Sequence, residues 1–502
     1  MKTLFIFILL LLSVDLESQG GFRTRIYDEN ANNQVTYDIF EVGPNSYFGA
    51  GIAIELLNSK PVFKLAVMGL DGLGNKTWMK KYGSINLMYP NPAFIFRTFC
   101  RKGNSFYYGG CLLDSLGNYL ATIAKFSQTG DLLWQKYYTD SSGKLVAQGI
   151  CVAEDGGFLL TGYLVEKPSN EIPCFIIKTD SAGKELWRKK LNKSVPNYSD
   201  GKAIIQHSAS KKIVIAGYQK LGTASSFTQH DNILVLDSAG TIVTQITYGS
   251  VQWHDMIETS DGNIVVVGLN ENSAGLDQAH AAKFAISSPD VPIWEIKDPI
   301  FTYENSYNSV IELSGGNLLI AGSLDSLRSK DQRYNNKSQF LTVTAQGQII
   351  RKRLYDYATN TIDDNAVRLT CLNPTSDSGW ITSIRCGYNK TNPFIFVKYD
   401  SMGCDSTQLY CESYKVGISD YSNSHGITFF PNPASGSIKV GNLESYHKIE
   451  AVFYDHLGRK VMTTKISQHT IVDISQLKPG FYYINLLDGD VLVSTKKLVI
   501  DR

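Results

Sequence analysis

Short apolar runs separated by polar turns repeat along the chain between about Gln34 and Gly403. The first half of each unit is an apolar strand, a turn and a second strand that closes with glycine, as in DGGFLLTG (Asp155–Gly162). Apolar runs of this length bounded by turn residues predict β-strands. Neighbouring closing glycines are 51–58 residues apart; they are Gly51, Gly109, Gly162, Gly217, Gly268 and Gly322.

The second half of each unit is another strand and a polar turn, often followed by tryptophan, as in FIIKTDSAGKELW (Phe175–Trp187). The turns are centred on positions 74, 130, 183, 240, 290, 347 and 403. Four β-segments in a unit of about 54 residues predict one four-stranded blade of a β-propeller. Seven units therefore predict a seven-bladed propeller. Both sets of glycines are assigned to turns with positive φ, and the tryptophans to contacts between neighbouring blades.

The seventh unit reaches Gly403 without a fourth strand, because CDSTQLYC follows instead. At the other end, RTRIYD (Arg23–Asp28) is similar to RKRLYD (Arg351–Asp356), which is the predicted fourth strand of the sixth unit. We therefore expect residues 22–28 to complete the seventh blade and close the ring, since a closed ring removes an open sheet edge.

Composition agrees with an all-β protein of more than one domain. The 502 residues include 28 Tyr, 23 Phe and 42 Gly, which favours strands and tight turns. The formal net charge is +1, with acidic and basic residues interspersed, so no nucleic-acid partner is predicted.

The N-terminus predicts a signal peptide over residues 1–18. Leu4–Leu12 is an apolar run that follows Met1-Lys2 and is too short to span a bilayer. No later segment approaches 18 consecutive apolar residues, so no transmembrane segment is predicted in the mature chain. We expect the propeller to occupy residues 19–403.

Four motifs follow in order near the C-terminus: FFPNPASGSIKV (Phe429–Val440), YDHLGRKV (Tyr454–Val461), LKPGFYYI (Leu477–Ile484) and TKKLVI (Thr495–Ile500). This segment resembles the type A C-terminal sorting domain of the type IX secretion system of Bacteroidetes. The resemblance is carried by Pro431, Asn432, Pro433, Gly458, Gly480, Lys496 and Lys497.

The resemblance implies export through the periplasm, recognition by the outer-membrane secretion machinery, and release or attachment at the outer cell surface. Seven short predicted strands indicate a small immunoglobulin-like sandwich at residues 424–502. Residues 404–423 are the predicted linker.

Eight cysteines in an exported chain favour disulfides over metal ligation, and no C-x-x-C occurs. Two pairs flank equivalent hairpins in units two and seven, and a third closes a short loop. The predicted pairs are Cys100 with Cys111, Cys371 with Cys386, and Cys404 with Cys411. Cys151 and Cys174 stay unassigned.

No catalytic motif is present in the sequence. Adjacent residues of a strand point to opposite faces, so His254 and Asp255 cannot both face one substrate by strand geometry alone. We therefore interpret Trp253-His254-Asp255 as a loop leading into an inner strand. The aspartates predicted at the inner-strand starts are candidates for a binding ring at the channel rim, or for structural turn residues: Asp38, Asp200, Asp255 and Asp364. KTDSAGKELW also resembles the tryptophan-docking repeat of quinoprotein dehydrogenases, but no adjacent Cys-Cys pair occurs, so no cofactor is predicted.

These observations favour an exported, non-catalytic binding protein with a glycan or protein ligand. A secreted polysaccharide hydrolase or lyase with carboxylates at the channel mouth is the alternative. An adhesin in which the blades act as a spacer is the third hypothesis.

Overall fold

The computed structural model describes residues 21–501 with gaps and contains strands but no helix in the described part. The gaps are 29, 32, 85, 90–96, 168, 170, 192–197, 224–225, 247–248, 250, 272–275, 299–301, 303–304, 328–333, 356–367, 386–392, 402, 404, 406–427, 442–448, 456–459, 468–469 and 489–490. The predicted signal peptide and most of the predicted linker lie outside the described residues. The chain forms two compact units, residues 1–413 and 414–502.

The first unit is a seven-bladed β-propeller, as the repeat predicted. Its N-terminal strand is β1 (Phe22–Ile26). Blade one contains β2 (Asn33–Gly43), β3 (Ser46–Leu57), β4 (Lys60–Asp71) and β5 (Lys76–Tyr82). Blade two contains β6 (Leu87–Met88), β7 (Phe99–Lys102), β8 (Ser105–Asp114), β9 (Tyr119–Ser127) and β10 (Leu132–Tyr138). Blade three contains β11 (Gly143–Val152), β12 (Phe158–Glu166), β13 (Cys174–Thr179) and β14 (Glu185–Leu191).

The remaining blades follow the same order from the inner to the outer strand. Blade four contains β15 (Tyr198–Gln206), β16 (Ile213–Thr223), β17 (Ser226–Leu236) and β18 (Ile242–Ile246). Blade five contains β19 (Val251–Glu258), β20 (Asn263–Glu271), β21 (Asp277–Ala285) and β22 (Trp294–Lys297). Blade six contains β23 (Asn305–Glu312), β24 (Leu318–Leu327), β25 (Tyr334–Val343) and β26 (Ile349–Tyr355). Blade seven contains β27 (Arg368–Pro374), β28 (Trp380–Arg385) and β29 (Phe394–Tyr399).

The N-terminal strand completes blade seven, as predicted. β1 pairs antiparallel with β29, with Thr24 opposite Phe396, so this sheet also has four strands. The Arg23 guanidinium adds an ion pair to the buried Asp405, with Nη2 2.7 Å from Oδ2. The ring is therefore closed by residues from both ends of the propeller sequence.

Each tryptophan of an outer strand packs against the turn glycine of the next blade. Trp78 lies on Gly130, Trp187 on Gly240, and a Cβ at either glycine would come within 2.7 Å of the indole. Both glycines have φ near +78°, a conformation that favours glycine. The missing side chain thus allows both the turn and the close contact with the indole ring. The same packing joins Trp134 to Gly183 and Trp294 to Gly347.

Phe22 of β1 takes the place of the tryptophan at the junction where the ring closes. It packs on Gly74 of blade one and makes an edge contact with Tyr47 at 5.3 Å between ring centroids. Tyrosines of outer strands support other junctions, because Tyr82 and Tyr138 donate hydrogen bonds of 2.6 and 2.7 Å to turn-glycine carbonyls of the next blade.

The closing glycines lie inside strands, not in turns with positive φ, so that sequence assignment was wrong for this set. The inner strand carries a register shift opposite each of five of them, for example between Ala147 and Gly149 opposite Gly162. A Cβ on Gly162 would lie 2.0 Å from the Val146 carbonyl oxygen. The glycine is needed because the β-bulge brings the neighbouring backbone close. Blade seven has the same shift with Ile384 at the equivalent position.

The second unit is a two-sheet sandwich of seven strands, matching the predicted number. Its strands are β30 (Thr428–Phe430), β31 (Ser437–Gly441), β32 (Ile449–Asp455), β33 (Lys460–Ile466), β34 (Ile471–Asp473), β35 (Gly480–Asp488) and β36 (Val491–Ile500). One sheet has the order β30-β31-β34 and the other β33-β32-β35-β36. Val440, Phe453 and Ile484 are among the fully buried residues between them.

The described cysteines are free thiols, so the prediction of a Cys100–Cys111 disulfide was wrong. Cys100 lies opposite Tyr107 in the β7–β8 ladder, and Cys111 is four residues further along β8. Four residues of strand span about 13 Å, which is beyond the reach of a disulfide. Cys371 is also free and lies opposite Ser383. Its predicted partner Cys386, and the pair Cys404 and Cys411, lie outside the described residues.

We expect Phe22→Ala to lower the free energy of unfolding of the propeller by about 3 kcal/mol, because it removes a buried aromatic ring from the closing junction. Tyr27→Ala is the matched control, since Tyr27 is 52% exposed and its loss leaves stability nearly unchanged. Urea unfolding of both variants and hydrogen exchange in β29 measure the effect. Equal stability of the two variants would contradict the role given to Phe22.

Candidate functional site in the central channel

The bulges of the inner strands set the lining of the central channel. In six of the seven blades the residue that directly follows the bulge faces a cavity. In blade two this is Phe99, which occupies the equivalent position after Thr98. These residues are Asp38, Phe99, Gly149, Ala203, Asp255 and Cys371. The cavity has a volume of about 300 Å³, and its walls come from the C-terminal halves of the inner strands. This is the low end of the size range of small-molecule sites.

Asp255 is the most heavily hydrogen-bonded carboxylate of the cavity. Its Oδ1 accepts a hydrogen bond from the backbone N–H of Met256 at 2.8 Å. Its Oδ2 accepts from the Ser309 hydroxyl at 2.9 Å and from the Val310 N–H at 3.0 Å, both in blade six. The side chain therefore ties blade five to blade six.

Arg97 completes the environment of Asp255 from the far side of the channel. It directly precedes the short inner strand of blade two, and its Nε lies 2.8 and 3.0 Å from the two carboxylate oxygens of Asp255. Its Nη2 donates to the Val310 carbonyl at 2.9 Å. The Arg97 backbone has φ +49°, an uncommon conformation for a residue with a side chain. A single side chain thus links blade two to blades five and six.

Asp38 is fully buried in blade one, and its environment differs from that of Asp255. Its Oδ1 accepts hydrogen bonds from the Ile39 N–H at 3.0 Å and from Asn373 Nδ2 of blade seven at 2.9 Å. Burial raises the pKa of Asp38 to about 7, against the lowering effect of the Cys371 thiol and the Arg97 charge. The carboxyl is therefore largely protonated in mildly acidic solution.

Asp200 lies apart from the other two predicted rim aspartates. It precedes the bulge of β15 and accepts hydrogen bonds from the Tyr218 N–H at 3.2 Å and the Tyr198 hydroxyl at 3.3 Å. Burial raises its pKa to about 6. The structure thus places Asp38 and Asp255 in one cavity, Asp200 outside its lining, and Asp364 outside the described residues. All three described aspartates lie within strands, so the expected positions at the strand starts were wrong.

His254 occupies the bulge itself, and this changes the sequence interpretation of Trp253-His254-Asp255. The segment lies within β19 and is not a loop. Because the register shifts between Trp253 and Asp255, the simple alternation of side chains fails there. His254 Nδ1 lies 3.0 Å from Asn308 Oδ1, so both His254 and Asp255 contact blade six. Burial lowers the pKa of His254 well below its usual value, which keeps the ring neutral.

Lys202 is the bulge residue of blade four and also lines the cavity. It is only 5% exposed, and its Nζ lies 4.9 Å from the ring centroid of Tyr218. Burial lowers the pKa of Lys202, while the charge of Asp200 opposes that shift. The ammonium group is stabilised by an aromatic face and a neighbouring charge, without a direct ion pair in the described part of the chain.

Three free thiols, those of Cys100, Cys151 and Cys371, also line the cavity. Burial raises the pKa of each thiol, to about 12 for Cys151, so all three are protonated near neutral pH. Protonated, buried thiols are poor nucleophiles and poor metal ligands. Among the residues that the structure describes, no group of three or more His, Cys, Asp and Glu side chains is arranged to hold a metal ion.

The sequence interpretation missed Arg97, Lys202 and the cavity role of the thiols. Arg97 lies outside the repeating pattern, in the segment that interrupts the inner strand of blade two. Lys202 follows Gly201 in a strand that reads as ordinary alternation. The signal in the sequence was the spacing of 58 residues between Gly51 and Gly109, which is the longest between neighbouring closing glycines.

Residues 428–501 match the family of the secretion system C-terminal sorting domain. The second unit is a sorting domain. In the sorting domain, Asn432 Oδ1 accepts a hydrogen bond of 2.8 Å from the Val499 N–H, and Gly480 begins β35 with φ +147°. Lys496 and Lys497 pair opposite Ile484 and Tyr483 in β36. Gly458 lies outside the described residues.

The sorting domain establishes where the protein goes: it is exported, and it is secreted or attached to the cell surface. In the described residues no helix is long and apolar enough to cross a membrane.

Parts of the chain are similar to several solved structures. A protein of unknown function from Dyadobacter fermentans has 11% identity and a TM-score of 0.43, over 76% of this chain and 98% of that one. The β-propeller domain of the Trilobed protease from Pyrococcus furiosus has 9% identity and a TM-score of 0.39, over 73% and 94%. An endo-arabinase from Bacteroides thetaiotaomicron has 12% identity and a TM-score of 0.29, over 49% and 91%. No curated protein matches the sequence.

We expect the stability effect of Asp38→Asn to depend on pH. The native state keeps a proton on Asp38 up to about pH 7, whereas the unfolded chain releases it near pH 4. Between these values the unfolded state binds fewer protons, so the free energy of unfolding contributed by Asp38 falls as pH rises. Asparagine has no such dependence. The variant should therefore gain stability relative to the parent protein by on the order of 1–4 kcal/mol between pH 4 and pH 8.

Urea unfolding of both proteins at several pH values measures this difference. At pH 4 both side chains are neutral in the folded proteins, which provides an internal control for replacing the carboxyl group by an amide. A difference that stays constant with pH would show that Asp38 is ionised in the folded protein.

Proposed function

We propose that the propeller is a non-catalytic binding module that the sorting domain directs to the cell exterior. Its ligand, a glycan, docks at the end of the channel where the cavity lies. The observation that carries this proposal is the use of the channel carboxylates for holding blades together. Asp255 is saturated by four donor groups, and Asp38 bonds to blade seven through Asn373.

A carboxylate that serves as nucleophile or base needs a lone pair directed at the substrate. Both carboxylate oxygens of Asp255 accept hydrogen bonds from Arg97, Ser309 and two backbone N–H groups, so its hydrogen-bonding capacity is used within the protein. The described part of the cavity thus offers shape and charge for binding without an assembled acid–base pair.

The second candidate function, hydrolysis or cleavage of a polysaccharide, is favoured by one observation. Asp38 is a buried carboxyl with a pKa raised to about 7, as general acids of glycoside hydrolases are. Such an enzyme also needs a second, available carboxylate about 5 Å or 6.5–9.5 Å away. Asp255 is the other carboxylate in the lining, and its hydrogen bonds argue against that role.

A glycan array combined with a hydrolase and lyase screen on the secreted protein tests the proposal. We expect binding to a limited set of glycans without release of product. Asp38→Asn tests the second function, because it would abolish turnover that uses Asp38 as the acid while keeping a neutral side chain of similar size. If the parent protein cleaves a glycan and this variant does not, the enzymatic function replaces the binding function. If neither binding nor cleavage is detected, an adhesin in which the blades act as a spacer is favoured.

We expect deletion of residues 427–502 to leave the propeller in the periplasm, because the sorting domain carries the recognition by the secretion machinery. Fractionation and immunoblotting of cells that express the full chain or the truncated chain measure the distribution. Ala substitution of the exposed Ile471 in the full chain is a control that leaves the fold unchanged. Equal export of the truncated protein would contradict the assignment.

A further inference from the structure

The cavity contains cationic groups whose hydrogen-bonding capacity the protein does not use up. Arg97 donates through Nε to Asp255 and through Nη2 to the Val310 carbonyl. Its Nη1 has no hydrogen-bond acceptor among the described residues, and the side chain is 33% exposed. A guanidinium held on one edge with its other N–H groups open is suited to a planar anion such as a carboxylate.

Lys202 also belongs to the lining, and its Nζ lies 4.9 Å from the ring centroid of Tyr218. The side chain is nine-tenths buried, yet no oxygen atom of the described residues accepts a hydrogen bond from its ammonium group. A bound anion near this ammonium group would add a favourable charge interaction to those with Tyr218 and Asp200.

Two neighbouring bulge positions also hold buried polar atoms without a partner. The Thr98 hydroxyl of blade two and Gln148 Oε1 of blade three have no hydrogen-bond partner in the described part of the chain. Thr98 is 1% exposed and Gln148 7%. Neither Thr98 nor Gln148 is part of the cavity lining, although the residues that follow them, Phe99 and Gly149, are.

The charge balance of the lining favours an anion. Arg97, Arg101 and Lys202 are opposed by Asp255 and Asp38. Asp255 is paired with Arg97, and Asp38 is buried with a protonated thiol and an amide around it. The Arg101 guanidinium lies nearer the surface, where backbone carbonyls of blade one and of its own turn accept its hydrogen bonds.

We propose that the channel cavity binds a small organic carboxylate, namely the acidic sugar at the end of a glycan, with its carboxylate against the open edge of Arg97. This inference rests on the proposed binding function and names its ligand class. The cavity of about 300 Å³ is large enough for one sugar ring. A free carboxylic acid of similar size is the other source of the same chemistry.

Isothermal titration of the full chain with D-glucuronate, D-glucose and succinate tests the proposal. We expect glucuronate to bind at least tenfold more tightly than glucose, because glucose lacks the charge that meets Arg97. Weaker binding of succinate supports the acidic sugar, whereas tighter binding of succinate overturns the sugar as the source. Equal binding of glucose and glucuronate, or no binding of either acid at millimolar concentration, overturns the carboxylate site.

Variants locate the site. Arg97→Lys keeps the charge but loses the planar fork, and Lys202→Met keeps the length of the side chain without its charge. Each should weaken glucuronate binding roughly ten- to hundredfold, as expected for loss of a charge-assisted hydrogen bond. Arg188→Met is the matched control, since the Arg188 side chain is 29% exposed and lies in a strand of blade three away from the lining.

Thermal unfolding of each variant shows whether the fold is kept. Lysine is used at position 97 because it retains a positive charge beside the buried Asp255. Unchanged glucuronate binding in both channel variants overturns the placement. Binding on a glycan array to neutral glycans only would overturn this inference and leave the proposed function intact. Turnover of a glycan would overturn the proposed function while leaving the titration of glucuronate as a separate result.

Discussion

The extra residue in the inner strand of each blade is the constraint on which the propeller and its channel depend. Six inner strands show this bulge by a shift of register, and blade two has the equivalent arrangement around Thr98. The bulge brings a backbone carbonyl so close to the next strand that glycine is needed at most of these positions. It also turns the following residue toward the channel. The glycine repeat that reveals the fold and the residues that line the cavity are therefore consequences of one backbone feature.

The sequence was sufficient for the architecture because the information is local and repeated. Alternation of apolar residues, turn glycines and tryptophan spacing gave the blade number, and the likeness of two basic segments placed Arg23–Asp28 in blade seven. The motif order at the C-terminus gave the sorting domain, because each motif corresponds to a short strand or turn. These features depend on a residue and its neighbours within one blade.

The candidate site was less predictable because it is made by contacts across the ring. Periodicity cannot show that Arg97 reaches Asp255, which lies three blades further along the chain. The loop predicted at Trp253-His254-Asp255 was wrong, since a bulge leaves no mark in the pattern of apolar residues. The cysteine pairing failed because equivalent positions beside a hairpin do not fix register. Cys100 and Cys111 are offset along β8 by several residues, and this offset is visible only in the strand ladder.

The strand that closes the ring makes a contact between residues 382 positions apart, since Arg23 meets Asp405. Such a contact has a large loop-closure cost, and topologies dominated by distant contacts fold slowly. The first strand of the propeller therefore cannot pair until β29 has been synthesised. The sorting domain follows blade seven in the sequence, so the part of the chain that directs export is synthesised only after every strand of the ring.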